Sequence, residues 1–149
     1  MRPVRPILER LVARAVESLP AAETGRNSWG VRWFRWASPC EEIEALWLSV
    51  TAQEVVLSCR LAHTHFSRDR YHRERLTNLR LKRRIARDAI QEARRFMSGR
   101  VAVVIDAGGT SGSSMWCPLD QLLGAMEHSR QVFGGTPQRA WVWSGAVAC

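Results

Sequence analysis

SRDRYHRERLTNLRLKRRIARDAIQEARRFMSGR, residues Ser67 to Arg100, is the stretch on which the rest of the chain is arranged. Leu81, Ile85, Ala89, Ala93 and Phe96 recur at spacings of three and four, with Ala86, Ile90 and Met97 beside them. That is one apolar stripe with a period of about 3.6, so the spacing predicts an amphipathic helix. Arg, Lys, Glu, Gln, Ala and Leu fill the remaining positions, and all are good helix formers. Ser67 is the expected N-cap, Asp69 suits the first turn, and Ser98-Gly99 supplies the stop. The stretch holds twelve of the 22 Lys and Arg and four of the 14 Asp and Glu, so it alone carries the formal net charge of +8. The remaining ten basic and ten acidic residues cancel.

Working outward, Val101 to Asp106 (VAVVID) reads as a strand buried on both faces. The Gly- and Ser-rich segment 107–117 follows as a loop, then a helix over Pro118 to Phe133 and a last strand over Arg139 to Ala148. On the other side, Val55 to His65 reads as one strand whose odd positions run from Val55 and Leu57 to His63 and His65. Glu42 to Val50 alternates in the same way. A helix from Pro39, with Glu41, Glu42 and Glu44 in its first turn, competes there, and the alternation favours the strand. Trp29 to Ala37 (WGVRWFRWA) alternates again and is rich in aromatics, which favour strands. Ile7 to Leu19 forms a short amphipathic helix ended by Pro20, and residues 1–28 comprise this helix and a linker. The order α-β-β-β-α-β-α-β implies a single α+β domain over residues 1–149. A mostly antiparallel sheet of about five strands would pack against the long basic helix and two shorter ones. Leu57, Leu61, Ile85, Ala89, Phe96, Val103, Ile105, Leu122 and Val142 form the expected core.

A chain of 149 residues buries roughly 70% of its unfolded surface and needs no covalent staple. Its hydrophobic content of 46% and seven Trp argue for a packed core rather than disorder. No apolar run reaches the ~18 residues of a membrane span. Cys40, Cys59, Cys117 and Cys149 form no C-x-x-C pair, so they are expected reduced, and the expected compartment is cytoplasmic. No Ser-His-Asp order or carboxylate dyad stands out, and nothing calls for a cofactor.

The basic segment Arg68 to Arg100 thus points to a non-catalytic binding protein with an acidic macromolecule as its partner. That partner is either an acidic protein surface, as for an inhibitor or immunity-type protein, or nucleic acid. Arg73, Arg80, Lys82, Arg83, Arg84, Arg87 and Arg94 are the expected contacts, because Arg makes planar, bidentate bonds to carboxylate or phosphate. Arg35 and Trp36 on the first strand are added as an aromatic-plus-Arg surface.

Two short motifs offer enzymatic alternatives. His63-Thr64-His65 places two imidazoles on one strand face, and Tyr71, the single Tyr of the chain, follows six residues later. This resembles the His-hydrophobic-His nicking endonucleases, although Thr64 occupies the hydrophobic position. The resemblance implies His63 and His65 as metal ligands and Tyr71 as the nucleophile of a single-strand nuclease. Asp106-Ala107-Gly108-Gly109-Thr110 resembles the phosphate-binding turn of actin-like ATPases and sugar kinases, which implies phosphate contact at the glycines.

Overall fold

The computed structural model of the chain describes residues 5–106, 114–133 and 138–147. It has the expected α+β composition, with two antiparallel sheets where the sequence suggests one. Helix α1 (Ile7–Val16) leads into strands β1 (Glu23–Arg26), β2 (Arg32–Ala37), β3 (Ala45–Val50), β4 (Val55–Ser58) and β5 (His63–Phe66). These five strands form one sheet in sequence order. A 3-10 segment, Arg68–Glu74, precedes helix α2 (Asn78–Met97). Strands β6 (Val101–Asp106) and β7 (Ser114–Pro118), helix α3 (Leu122–Phe133), and strands β8 (Gln138–Val142) and β9 (Gly145–Ala146) complete the chain. The second sheet has the order β7-β6-β8-β9.

The long helix is shorter than its composition suggests. Arg75 adopts left-handed dihedrals (φ 45°, ψ 43°), and Tyr71 is also non-helical at φ −116°, ψ 16°. The chain therefore breaks between the 3-10 turn and α2, and Ser67 makes no side-chain capping bond. The first turn of α2 holds no acid. The apolar stripe is buried as its spacing requires: Leu81, Ile85, Ala86, Ala89, Ile90, Ala93 and Phe96 are all core.

Contacts divide the chain into two compact units, where the sequence offers no boundary. One comprises Met1–Trp36, Leu46–Ser58 and Thr64–Arg94. In it, β1 pairs with β2 in the register Gly25↔Trp33 and Glu23↔Arg35. Strand β1 lies in the expected linker because Glu-Thr-Gly-Arg has no apolar alternation to betray it. Asn27 Oδ1 accepts from the N–H groups of Trp29 and Val31, and Gly30 sits at φ 76°. This turn leaves Trp29 88% exposed, so β2 begins three residues later than the aromatic run suggests. Strand β3 starts at Ala45; the turn before it, in which the Ser38 N–H donates to Glu44 O and the Glu44 N–H to Cys40 O, belongs to the other unit. The register Leu48↔Leu57 and Val50↔Val55 puts four buried aliphatics on one face of β3 and β4. With Phe34, Trp36, Leu8 and Val12 they supply much of this unit's core.

The other unit comprises Ala37–Ala45, Cys59–His63 and Arg95–Cys149. The Cys59 N–H donates to Ala62 O, closing a turn that interrupts the expected strand Val55–His65. Leu61 is consequently half-buried, not core. Strand β7 occupies the end of the expected Gly/Ser loop and pairs with β6 through Val103↔Trp116 and Ala102↔Cys117. The β6 strand is central, as its sequence predicts, although burial falls from Val103 at 0% exposure to a half-buried Ile105 near its end. Val142 is likewise half-buried. Ala102, Val104, Cys117, Leu122, Met126 and Ala140 form one apolar cluster, and Phe96 stacks on Trp116 at 4.5 Å between ring centroids.

Candidate functional site: the arginine face of α2

Of the seven cations expected as contacts, the five in the first half of α2 (Arg80, Lys82, Arg83, Arg84 and Arg87) point in three directions. Arg84 turns toward the fold: its Nε donates to Asp88 Oδ2 at 2.8 Å, and its Nη2 lies 3.6 Å from Glu74 Oε1. Lys82 is half-buried on another flank, where it lines a cleft with Glu54, Asp69 and Asn78. Arg80, Arg83 and Arg87 are exposed and occur at spacings of three and four. Gln91 and Arg94, also exposed, continue the series, so all five share one strip of the helix surface. From Arg80 to Arg94 the row runs about 21 Å at 1.5 Å per residue.

Asp88 organises the inner side of this cluster. Besides Arg84, the Arg87 Nε donates to its Oδ1 at 3.0 Å and the Tyr71 hydroxyl to its Oδ2 at 3.1 Å. Partial burial works against the charged carboxylate, but the hydrogen bonds from Arg87, Arg84 and Tyr71 outweigh it and hold Asp88 below its ordinary pKa. Burial, then the charge of Asp88 and the hydrogen bond to it, push the Tyr71 phenol well above its ordinary value. Arg80 and Arg83 make no ion pair or hydrogen bond among the described residues. Arg94 donates to Ser18 Oγ at 2.8 Å.

Two depressions flank the row. One, of about 250 Å³, is lined by Leu76, Arg80, Arg83, Arg84 and Arg87. The other, of about 410 Å³, runs between α1 and α2. Leu11, Ala15, Ala86 and Ile90 form its apolar part, and Arg83, Arg87, Gln91 and Arg94 its polar part. Sequence periodicity assigns Leu11 and Ala15 to a core-facing stripe and so hides this role. The half-exposed series Ile7, Leu11, Ala15 at four-residue intervals is the signal that distinguishes it.

The remaining candidates are placed separately. Arg73 is exposed on the 3-10 turn. Arg35 lies on the half-exposed face of β2, paired with both Glu23 carboxylate oxygens at 3.2 Å and over the Trp47 ring at 5.5 Å. Trp36 is core, not surface: it is 4% exposed, and its Nε1–H donates to Pro20 O. The aromatics on Arg35's face are Trp33 and Trp47, in an edge-to-face pair at 5.3 Å. Sequence alternation already opposes Trp36 to Arg35, since residues one apart on a strand face opposite ways.

For the nuclease alternative, His63 and His65 occupy alternate, exposed positions of β5. His65 Nδ1 lies 3.1 Å from Glu54 Oε2. Among the described residues, no three His, Cys, Asp or Glu side chains are grouped to hold a metal ion. Tyr71 is 6% exposed and committed to Asp88. A buried phenol with a raised pKa is the reverse of an activated nucleophile. The thiols of Cys40, Cys59 and Cys117 are likewise pushed up by burial. The Ala107–Thr110 part of the phosphate-turn motif lies outside the described residues. No helix among the described residues is long and apolar enough to cross a membrane.

No protein-family model, curated protein or solved structure matches the chain.

Proposed function

We propose that this protein is a non-catalytic binding module that recognises an acidic protein through the arginine face of α2. The observation that carries this reading is the row Arg80, Arg83, Arg87, Arg94. It is solvent-facing along α2, and three of its members, Arg80, Arg83 and Arg94, pair with no acid among the described residues. Like charges at this spacing repel by a few tenths of a kcal/mol per pair, a cost that nothing in α2's own first turn offsets. Carboxylates brought by a partner would reverse that sign and make charge-assisted, bidentate bonds. A protein partner is favoured over a phosphodiester backbone because the row borders an aliphatic groove, which phosphates would leave unused.

Poly-glutamate and duplex DNA, each titrated against the protein at rising salt, test the proposal. Saturable poly-glutamate binding is expected, and simultaneous Arg80→Glu, Arg83→Glu and Arg87→Glu should abolish it. The melting temperature should stay within about 2–4 °C, the equivalent of ~1 kcal/mol. Preference for duplex DNA, with affinity falling by roughly 0.9 log unit per log unit of salt for each contact, would instead identify a nucleic-acid binder.

A further inference from the structure

The groove between α1 and α2 narrows the class of partner. Its apolar lining comes from both helices: Leu11 and Ala15 of α1 face Ala86 and Ile90 of α2. The two alanines leave depth where larger side chains would close it. Its polar lining is cationic, since Arg83, Arg87 and Arg94 stand along it and, among the described residues, no Asp or Glu lines it. Arg10 and Arg14, both exposed, come next around α1. Arg83 to Arg94 spans about 16 Å, three turns of helix at 1.5 Å per residue.

We infer that this groove seats an amphipathic helix of a partner protein, with apolar residues at i, i+3 or i+4 and i+7 and carboxylates on its flanks. This rests on the acidic-protein reading above and deepens it. The distribution of charge selects the occupant. The arginines are spread along the groove, so the ligand's anions must be spread as well, which a fatty acid with one terminal carboxylate does not provide. A second copy of this chain would set one arginine row against another. Nucleic acid matches the charge but finds aliphatic side chains where stacking would require aromatic rings. A helix laid in a groove between two helices satisfies both requirements, with anchors buried in the floor and carboxylates on the rim.

The test uses two designed acidic peptides of about 20 residues, one with Leu at i, i+3, i+4 and i+7 and one with the same composition scrambled. Binding is read by fluorescence anisotropy and peptide helicity by circular dichroism. The striped peptide should bind at least about tenfold tighter than the scrambled one and become helical on binding. Ala15→Trp, which fills the groove, should remove that advantage while leaving the weak binding of the scrambled peptide. Leu11→Gln should act in the same direction, and it decides the matter if Ala15→Trp fails to fold. Joint Arg83→Glu and Arg87→Glu should abolish both interactions. Equal affinity for the two peptides would overturn the helix-in-groove proposal and leave the cationic-face reading intact. Binding of duplex DNA with no binding of either peptide would overturn both.

Discussion

Asp88 shows how one acid shapes a basic surface. It draws in Arg84, Arg87 and the Tyr71 hydroxyl, and so fixes the 3-10 turn against α2. Asp88→Asn keeps the shape but removes the charge that these donors serve, and should cost about 1–3 kcal/mol. Thermal or urea unfolding measures this, and a cost near zero would mean that the bonds are solvent-exchanged. Asp88's folded pKa lies below its unfolded one. Its contribution is therefore full above the ordinary carboxylate range and is lost as pH falls through the folded value. Tyr71's folded pKa lies above its unfolded one. Its contribution is therefore full below the ordinary phenol range and is lost as pH rises past it. Stability should fall at both extremes, and Asp88→Asn should flatten the acid limb. The sequence announces Asp88 only as an acid among arginines. That it binds a Tyr seventeen residues earlier depends on the break at Arg75, and left-handed dihedrals at an Arg leave no trace in composition.

At the scale of elements, the apolar stripe of α2 and the central placement of β6 were legible because burial imposes a period on the sequence. Strand β1 was not, since it is polar and is held by pairing with β2. The split between β4 and β5 was not, because the alternation runs unbroken through a turn closed by one backbone bond. The candidate site divides in the same way. The outward row of arginines follows from helical spacing, whereas the groove needs α1 beside α2, which no local pattern states. Gly25 is the most sensitive point of the β1–β2 pair. A Cβ there would lie 2.5 Å from Trp33 Cζ2, so the indole crosses the strand where a side chain should be. Gly25→Ala should push Trp33 off its edge-to-face contact with Trp47 and cost about 1 kcal/mol. Tryptophan emission and the denaturation midpoint should change together. An unchanged spectrum would show that the indole moves without consequence.

Across the whole molecule, a net charge of +8 gathered in one segment influences solubility and association more than it influences the fold. The missing acid in the first turn of α2 has a further consequence. The positive end of the helix dipole meets Arg80 with no acid in that turn, so on the proposed function the unliganded protein is electrostatically frustrated at its binding face. Added salt screens that repulsion. Between ~50 mM and ~500 mM NaCl the melting temperature should rise by about 2–4 °C, while affinity for an acidic ligand falls over the same interval. Stability and binding would then respond to ionic strength with opposite signs, and a joint decline would place the frustration elsewhere. On the proposed function, an acidic ligand would act as the counter-ion that this arginine face lacks.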